Sequence, residues 1–215
     1  MARRALARST SSSVATNLRN VIVGLLCTQS SAKVVDLGPV NVLALDTATP
    51  YLVLGTLDAE RVLHRGRRHA ETLLDDLEAF LAHAGLERRA IELIVVGEGP
   101  GSYTGLRVGL STALGLARGL GVPVVGAASL AAAAARGRGR VRALLSARNR
   151  QVYAADYLVA DDVVETAPPR KLSAEEALAA GGCLLWNAPP SGRALARLGA
   201  ARWRQGRKGV HPLYL

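Results

Sequence analysis

With 215 residues, 49% of them hydrophobic, the chain is long enough to bury a sizeable core as one large domain or two lobes. Its longest apolar run, Val21–Cys27, is far too short to cross a bilayer. The two cysteines, Cys27 and Cys183, form neither a disulfide framework nor a metal pattern, which is expected of a reducing, cytoplasmic compartment.

Residues 1–39 are rich in arginine and serine and almost free of acid. That composition fits either an organelle transit peptide or upstream sequence translated from a start called too early. The second is the expectation taken here, with Val40 well placed for an alternative start because Met1 is the only methionine.

From Asn41 the pattern becomes orderly. "NVLALD" predicts a buried strand ending on Asp46, "TATP" a turn, and "YLVLGTL" and "RVLHRG" two further strands of an antiparallel meander. "RHAETLLDDLEAFLAHAGL" predicts a helix with Leu73, Leu77, Leu81 and Ala84 on one face and Leu74 and Phe80 beside them, closed by Gly85. "IELIVV" is a fourth strand, followed by a glycine loop and a second helix, and "VPVVGA" and "SLAAAAARG" add a strand and a short helix. The composition breaks at Arg136–Arg140, which predicts a first lobe over 40–136 and a reduced second lobe over 137–215. In the latter, "VRALLSA" and "QVYAADYLVA" read as strands, and "SAEEALAAG" as a helix opened by a Ser-x-x-Glu capping box. "CLLWN", an arginine-rich helix and "HPLYL" complete the chain.

The segment "GEGPGSYTGLRVGLSTALGLARGLG" (97–121) carries the most information. The dinucleotide pattern fails at Ser102, and the P-loop pattern fails because Leu106, not lysine, follows Gly105. There remains a loop whose glycines admit close backbone approach at a helix N-terminus, a weak phosphate signal. Gly101, Gly105, Gly109, Ala113 and Ala117 recur every four residues, with Leu106, Leu110 and Leu114 on an adjacent face. Each glycine inside a helix costs about 1 kcal/mol relative to alanine, so the stripe implies close packing, either within the chain or across a subunit interface.

Together, "VLALDTATPYLVLG", "RHAETLL", "GPGSYTGLRVGLSTALGLA" and the ending "PLYL" resemble the TsaB (YeaZ-type) family. The resemblance implies an α/β fold of the actin-like/Hsp70/sugar-kinase (ASKHA) type, with a complete N-terminal βββαβα lobe and a shortened C-terminal lobe. It implies a non-catalytic scaffold in bacterial threonylcarbamoyladenosine (t6A) synthesis, paired with a TsaD-like catalyst that modifies the tRNA adenosine beside the anticodon. A TsaE-like ATPase and tRNA join through the complex, and for the chain alone the resemblance leaves a homodimer open. By that resemblance the interface comprises His69, Glu71, Leu73, Leu74, Leu77, Gly105, Leu106, Gly109, Leu110 and Ala113, and leucine at Gly109 is expected to abolish association without unfolding the monomer. Asp46, Thr47, Gly99, Gly101, Ser102 and Thr104 form a vestigial phosphate loop; no cofactor of its own is expected, and a nucleotide is placed, if anywhere, at the partner interface.

The catalytic relatives carry a His-x-x-x-His metal pair after the fifth strand, where this chain has Ser129 and Ala133, so no metal site is expected. Asp46 has two readings: a phosphate-side carboxylate, or a cap for the turn amides of Thr47–Thr49. Ser146 stands in "SAR" where relatives usually show aspartate.

Two rival functions follow from the residues. One is a small ASKHA-type ATPase or kinase-like enzyme using Asp46 and the Gly99–Thr104 loop. The other is a nucleic-acid-binding module driven by basic ends. The net charge of +10 is concentrated there: residues 1–40 hold five bases and one acid, residues 191–215 six bases and no acid, and the remainder balances. Such ends attract RNA phosphates without specificity, and Arg193–Lys208 is the segment expected to reach tRNA if either does. With 4% aromatics, the plainer reading is solvated, arginine-rich ends.

Overall fold

A computed structural model describes residues 40–215 apart from 67, 180 and 181; the expectations for residues 1–39 lie outside the described residues. Five strands form the first sheet: β1 (Val42–Asp46), β2 (Tyr51–Gly55), β3 (Glu60–His64), β4 (Leu93–Gly97) and β5 (Val124–Ala127), in the order β3-β2-β1-β4-β5. The meander β1–β2–β3 is antiparallel, whereas β4 and β5 run parallel to β1 because helices α1 (His69–Ala84) and α2 (Tyr103–Leu120) provide the crossovers. Left-handed Gly85 and Gly121 end these helices, at φ 63° and 72°.

Strand alternation divides the first core. Leu43, Leu45, Ile94 and Val96 face α1 and α2, where they meet Leu73, Leu77, Phe80 and Ala113. Val42, Ala44, Leu93 and Val95 face the other way. The second sheet has the order β8-β7-β6-β9, built from β6 (Gly139–Ser146), β7 (Gln151–Val159), β8 (Val163–Ser173) and β9 (Cys183–Trp186). Helix α3 (Ser129–Ala134) packs on its inner face, and α4 (Ala174–Leu178) on its outer face through Ala177. The Ser173–Glu176 capping box predicted for α4 is present.

Helix α5 (Gly192–Arg204) corrects the predicted lobe boundary. It lies on β1, β2, β4 and β5 of the first sheet, although the sequence assigns residues 137–215 to the second lobe. Its small residues explain the packing: a Cβ on Gly192 would overlap the backbone of β2, and one on Gly199 would overlap Val95. Leu195, Ala196 and Ala200 complete the fully buried seam. Strand β8 was not anticipated, because Pro168 and Pro169 interrupt its pattern; as an edge strand it tolerates their missing N–H groups.

Candidate functional site: the glycine loop and the groove between α1 and α2

Strand β1 delivers Asp46 to the parallel end of the first sheet, beside the loop that joins β4 to α2. Asp46 is completely buried, its Oδ1 accepting the Ala48 N–H at 2.7 Å while Oδ2 has no hydrogen-bond partner among the described residues. The turn-capping reading is therefore the one observed. The recesses that the glycines leave are filled by this turn: a Cβ on Gly97 would overlap the Asp46 carboxylate, one on Gly101 the Ala48 carbonyl, and one on Gly105 the Thr47 carbonyl. Thr47 Oγ1 donates to the Gly105 carbonyl at 2.7 Å, and the Ser102 N–H donates to the Ala48 carbonyl at 2.7 Å. Gly99, at φ 84°, turns the loop, and its N–H donates to Ser129 Oγ at 3.0 Å. Ser102 caps α2 by accepting the Gly105 N–H, and Ser102 and Thr104 are exposed. Carbonyl oxygens of the chain's own β1–β2 turn thus occupy the space that the glycines leave open.

Burial raises the Asp46 carboxyl above its ordinary value of 3.8, opposed in part by the Ala48 N–H. The folded chain therefore binds this proton more tightly than the unfolded chain does. The resulting stability is complete below pH 3.8 and is lost as pH rises through the raised folded value. His69 acts in the opposite sense: burial lowers it from 6.5, against the pull of the Thr49 carbonyl 3.0 Å from Nε2. Its contribution is present above pH 6.5 and is lost as pH falls through the lowered value. In thermal melts, Asp46→Asn should therefore raise Tm more at pH 8 than at pH 4, while the loss of stability below pH 6.5 persists. A larger gain at pH 4 would refute the desolvated carboxylate.

Several residues expected at an interface point inward. Leu73, Leu77, Leu106 and Ala113 are core residues, and His69 is buried under the Thr49 carbonyl. Gly105 and Gly109 face Thr47, where a Cβ on Gly109 would lie 2.5 Å from Thr47 Oγ1. Leucine at Gly109 would therefore disturb the fold, contrary to the expectation from sequence. Of the expected set, Glu71 and Leu74 remain exposed and Leu110 is half-buried.

The outward faces of α1 and α2 enclose a groove of about 660 Å³ whose rim carries Leu74, Tyr103, Thr104, Arg107, Ser111 and Gly115. Leu74 and Tyr103 are each 60% exposed. Sequence reasoning missed Tyr103 and Arg107, although both lie beside the leucine stripe on the same helix. The basic segment is partly committed inside the fold: Arg202 pairs with Glu98 at 2.8 Å and Arg197 donates to the Leu57 carbonyl, while Arg193, Arg207 and Lys208 are exposed. Ser146 Oγ accepts from Trp186 Nε1 and Asn187 Nδ2, each at 3.0 Å. Ser129 and Ala133 are buried on α3. Among the described residues no group of three or more His, Cys, Asp or Glu is placed to hold a metal ion, and no helix is long and apolar enough to cross a membrane.

A family profile described as TsaD, tRNA N6-adenosine threonylcarbamoyltransferase, matches residues 63–199. An uncharacterised protein of Mycobacterium tuberculosis is 40% identical over 124 residues, 54% of this chain and 59% of its own length. The Escherichia coli tRNA threonylcarbamoyladenosine biosynthesis protein TsaB is 34% identical over 127 residues, 54% of each chain. The chain thus spans little more than half the length of these relatives. The solved structure of YeaZ from Pseudomonas aeruginosa superposes with a TM-score of 0.75 at 25% identity, covering 82% of this chain and all of that one. The two-sheet architecture is of the ASKHA type. By profile, sequence and fold, the chain belongs to the TsaD family and is a protein of its TsaB (YeaZ) type.

Proposed function

We propose that the chain serves t6A formation in tRNA as a non-catalytic partner of a TsaD-like subunit, which docks in the groove between α1 and α2. The groove is the observation that carries this reading: an apolar rim exposed at Leu74 and Tyr103 on two helices whose inner faces are already satisfied by the core. The glycine loop supports it from the other side, since its recesses hold the chain's own turn and Asp46 is sealed from solvent. A TsaE-like ATPase and tRNA would join through that complex.

The charge of the two walls also fits self-association in the absence of a partner. Exposed Glu71 and Asp75 lie on α1, whereas α2 contains no acid and exposes Arg107 and Arg118. A two-fold arrangement of copies would set the acidic wall of one against the basic wall of the other.

The test is to express the full chain in a bacterium depleted of its TsaB and to measure t6A in digested tRNA by mass spectrometry. Restoration by the native chain is expected. Failure with the cognate TsaD-like subunit co-expressed would refute the proposal. ATP hydrolysis by the isolated chain, lost on Asp46→Asn, would instead favour the enzymatic reading.

A further inference from the structure

Beyond α5 the chain runs through Gly206–Leu215 as an extended segment without regular structure, yet it is fixed at four stations. At the open edge of β5, the Gly126 N–H donates to the Gly209 carbonyl at 3.1 Å. At the glycine loop, Glu98 Oε1 accepts the His211 N–H at 2.6 Å, and the Glu98 carbonyl accepts the Leu213 N–H at 2.8 Å. At the start of α2, the Tyr214 ring lies 5.5 Å from that of Tyr103. On the second sheet, the Leu215 carbonyl accepts from Lys171 Nζ at 2.7 Å and from Tyr153 Oη at 3.3 Å.

Glu98 is the knot of this arrangement. Its side chain is 5% exposed, and its second oxygen accepts from Arg202 Nη1 at 2.8 Å. That same guanidinium nitrogen donates to the Gly126 carbonyl at 2.6 Å. Gly126 is glycine because a Cβ there would overlap the Glu98 side chain. One buried carboxylate just past β4 therefore ties α5 to the terminal segment, and through Arg202 to β5, and its two charge-assisted contacts, one on each oxygen, leave it little freedom.

The consequence concerns the groove. Tyr103 stands on its rim, with Arg107 over the ring at 5.5 Å, and Tyr214 is 55% exposed beside it. We infer that residues 206–215 are a strap, latched by Glu98, that presents Tyr214 with Tyr103 as one aromatic edge contacted by the TsaD-like partner. Tyr214 is the contact residue and Glu98 the positioning residue. This rests on the proposed docking face and extends it onto a segment far from α1 and α2 in sequence. Tyrosine suits the role, since it adds a rigid amphipathic contact at low entropic cost.

The test measures affinity for the TsaD-like subunit by calorimetric titration, using full-length variants. Tyr214→Ala should weaken binding about tenfold and leave the melting temperature unchanged. Glu98→Gln should weaken it similarly, and should add nothing in a Tyr214→Ala background, because it acts through Tyr214. Glu98→Gln should also speed hydrogen exchange at the His211 and Leu213 amides. Native affinity for Tyr214→Ala, with binding lost on Leu74→Asp, would overturn the strap and preserve the groove. Native affinity for both variants would overturn the two together. Additive losses from Glu98→Gln and Tyr214→Ala would remove the positioning role from Glu98.

Discussion

Leu74→Asp should weaken association with the TsaD-like partner, and self-association of the free chain, by at least about a hundredfold, while Tm changes by no more than about a degree. The separation of the two effects follows from geometry. Leu74 is 60% exposed, so the isolated fold gains little from burying it. Its immediate neighbours Leu73 and Leu77 are core residues, so substituting either would confuse loss of docking with loss of folding. A carboxylate at 74 places a desolvated charge at the centre of an apolar contact, a cost that outweighs any attraction to the arginines of an opposing α2. Gly115 offers a check on the opposite wall. Among the described residues nothing beyond its own stretch of helix lies within 4 Å of where its Cβ would be, so alanine there should stabilise the helix by about 0.5–1 kcal/mol. Leucine at the same site should be tolerated by the fold and should block the groove. Light scattering of the free chain and titration against the partner read both results. Native affinity for Leu74→Asp would move the docking surface elsewhere.

How far these features were legible in the sequence depends on the range of the interaction. The order of the first five strands and their helices could be read because each is encoded locally, by alternation in "NVLALD" and "YLVLG" and by a leucine face at helical spacing. The small-residue stripe of α2 was legible as a stripe, but periodicity does not say which neighbour fills it. The β1–β2 turn fills its first half, at Gly101, Gly105 and Gly109, and the core takes its second half, Ala113 and Ala117; Gly115 and Gly119 lie off the stripe, with no described residue against the place of a Cβ. Helix α5 was placed in the wrong lobe because what holds it is contact with β1, β2, β4 and β5, all far earlier in the chain, which no local pattern encodes. Glu98 was passed over for a similar reason. A single acid among glycines resembles a solvated loop residue, and only the acid-free segment 191–215, with arginines in need of partners, hinted otherwise.

The second large effect is on stability. Gly105→Val should cost about 3–5 kcal/mol, a large part of a typical domain's 5–15 kcal/mol, and should lower Tm by about 10 °C or leave the chain insoluble. The clash is with backbone: a Cβ at 105 overlaps the Thr47 carbonyl, which cannot withdraw as a flexible side chain would. Relief would require separating α2 from the turn and breaking the Thr47–Gly105 and Ser102–Ala48 hydrogen bonds. Opening that seam would admit water to Asp46, whose second oxygen is held without a hydrogen-bond partner among the described residues. Gly119→Ala, on the same helix, should act in the opposite direction and raise Tm by about 2 °C, because its Cβ would meet no described residue beyond its own stretch of helix. Thermal and urea melts of the two variants measure the contrast directly. If both glycines proved equally replaceable, the turn would not be what the loop holds, and the recess would again be free for an anion. Opposite signs would mean that a loop of phosphate-binding shape here serves to seat its own β1–β2 turn, and with it the helix that lines the docking groove.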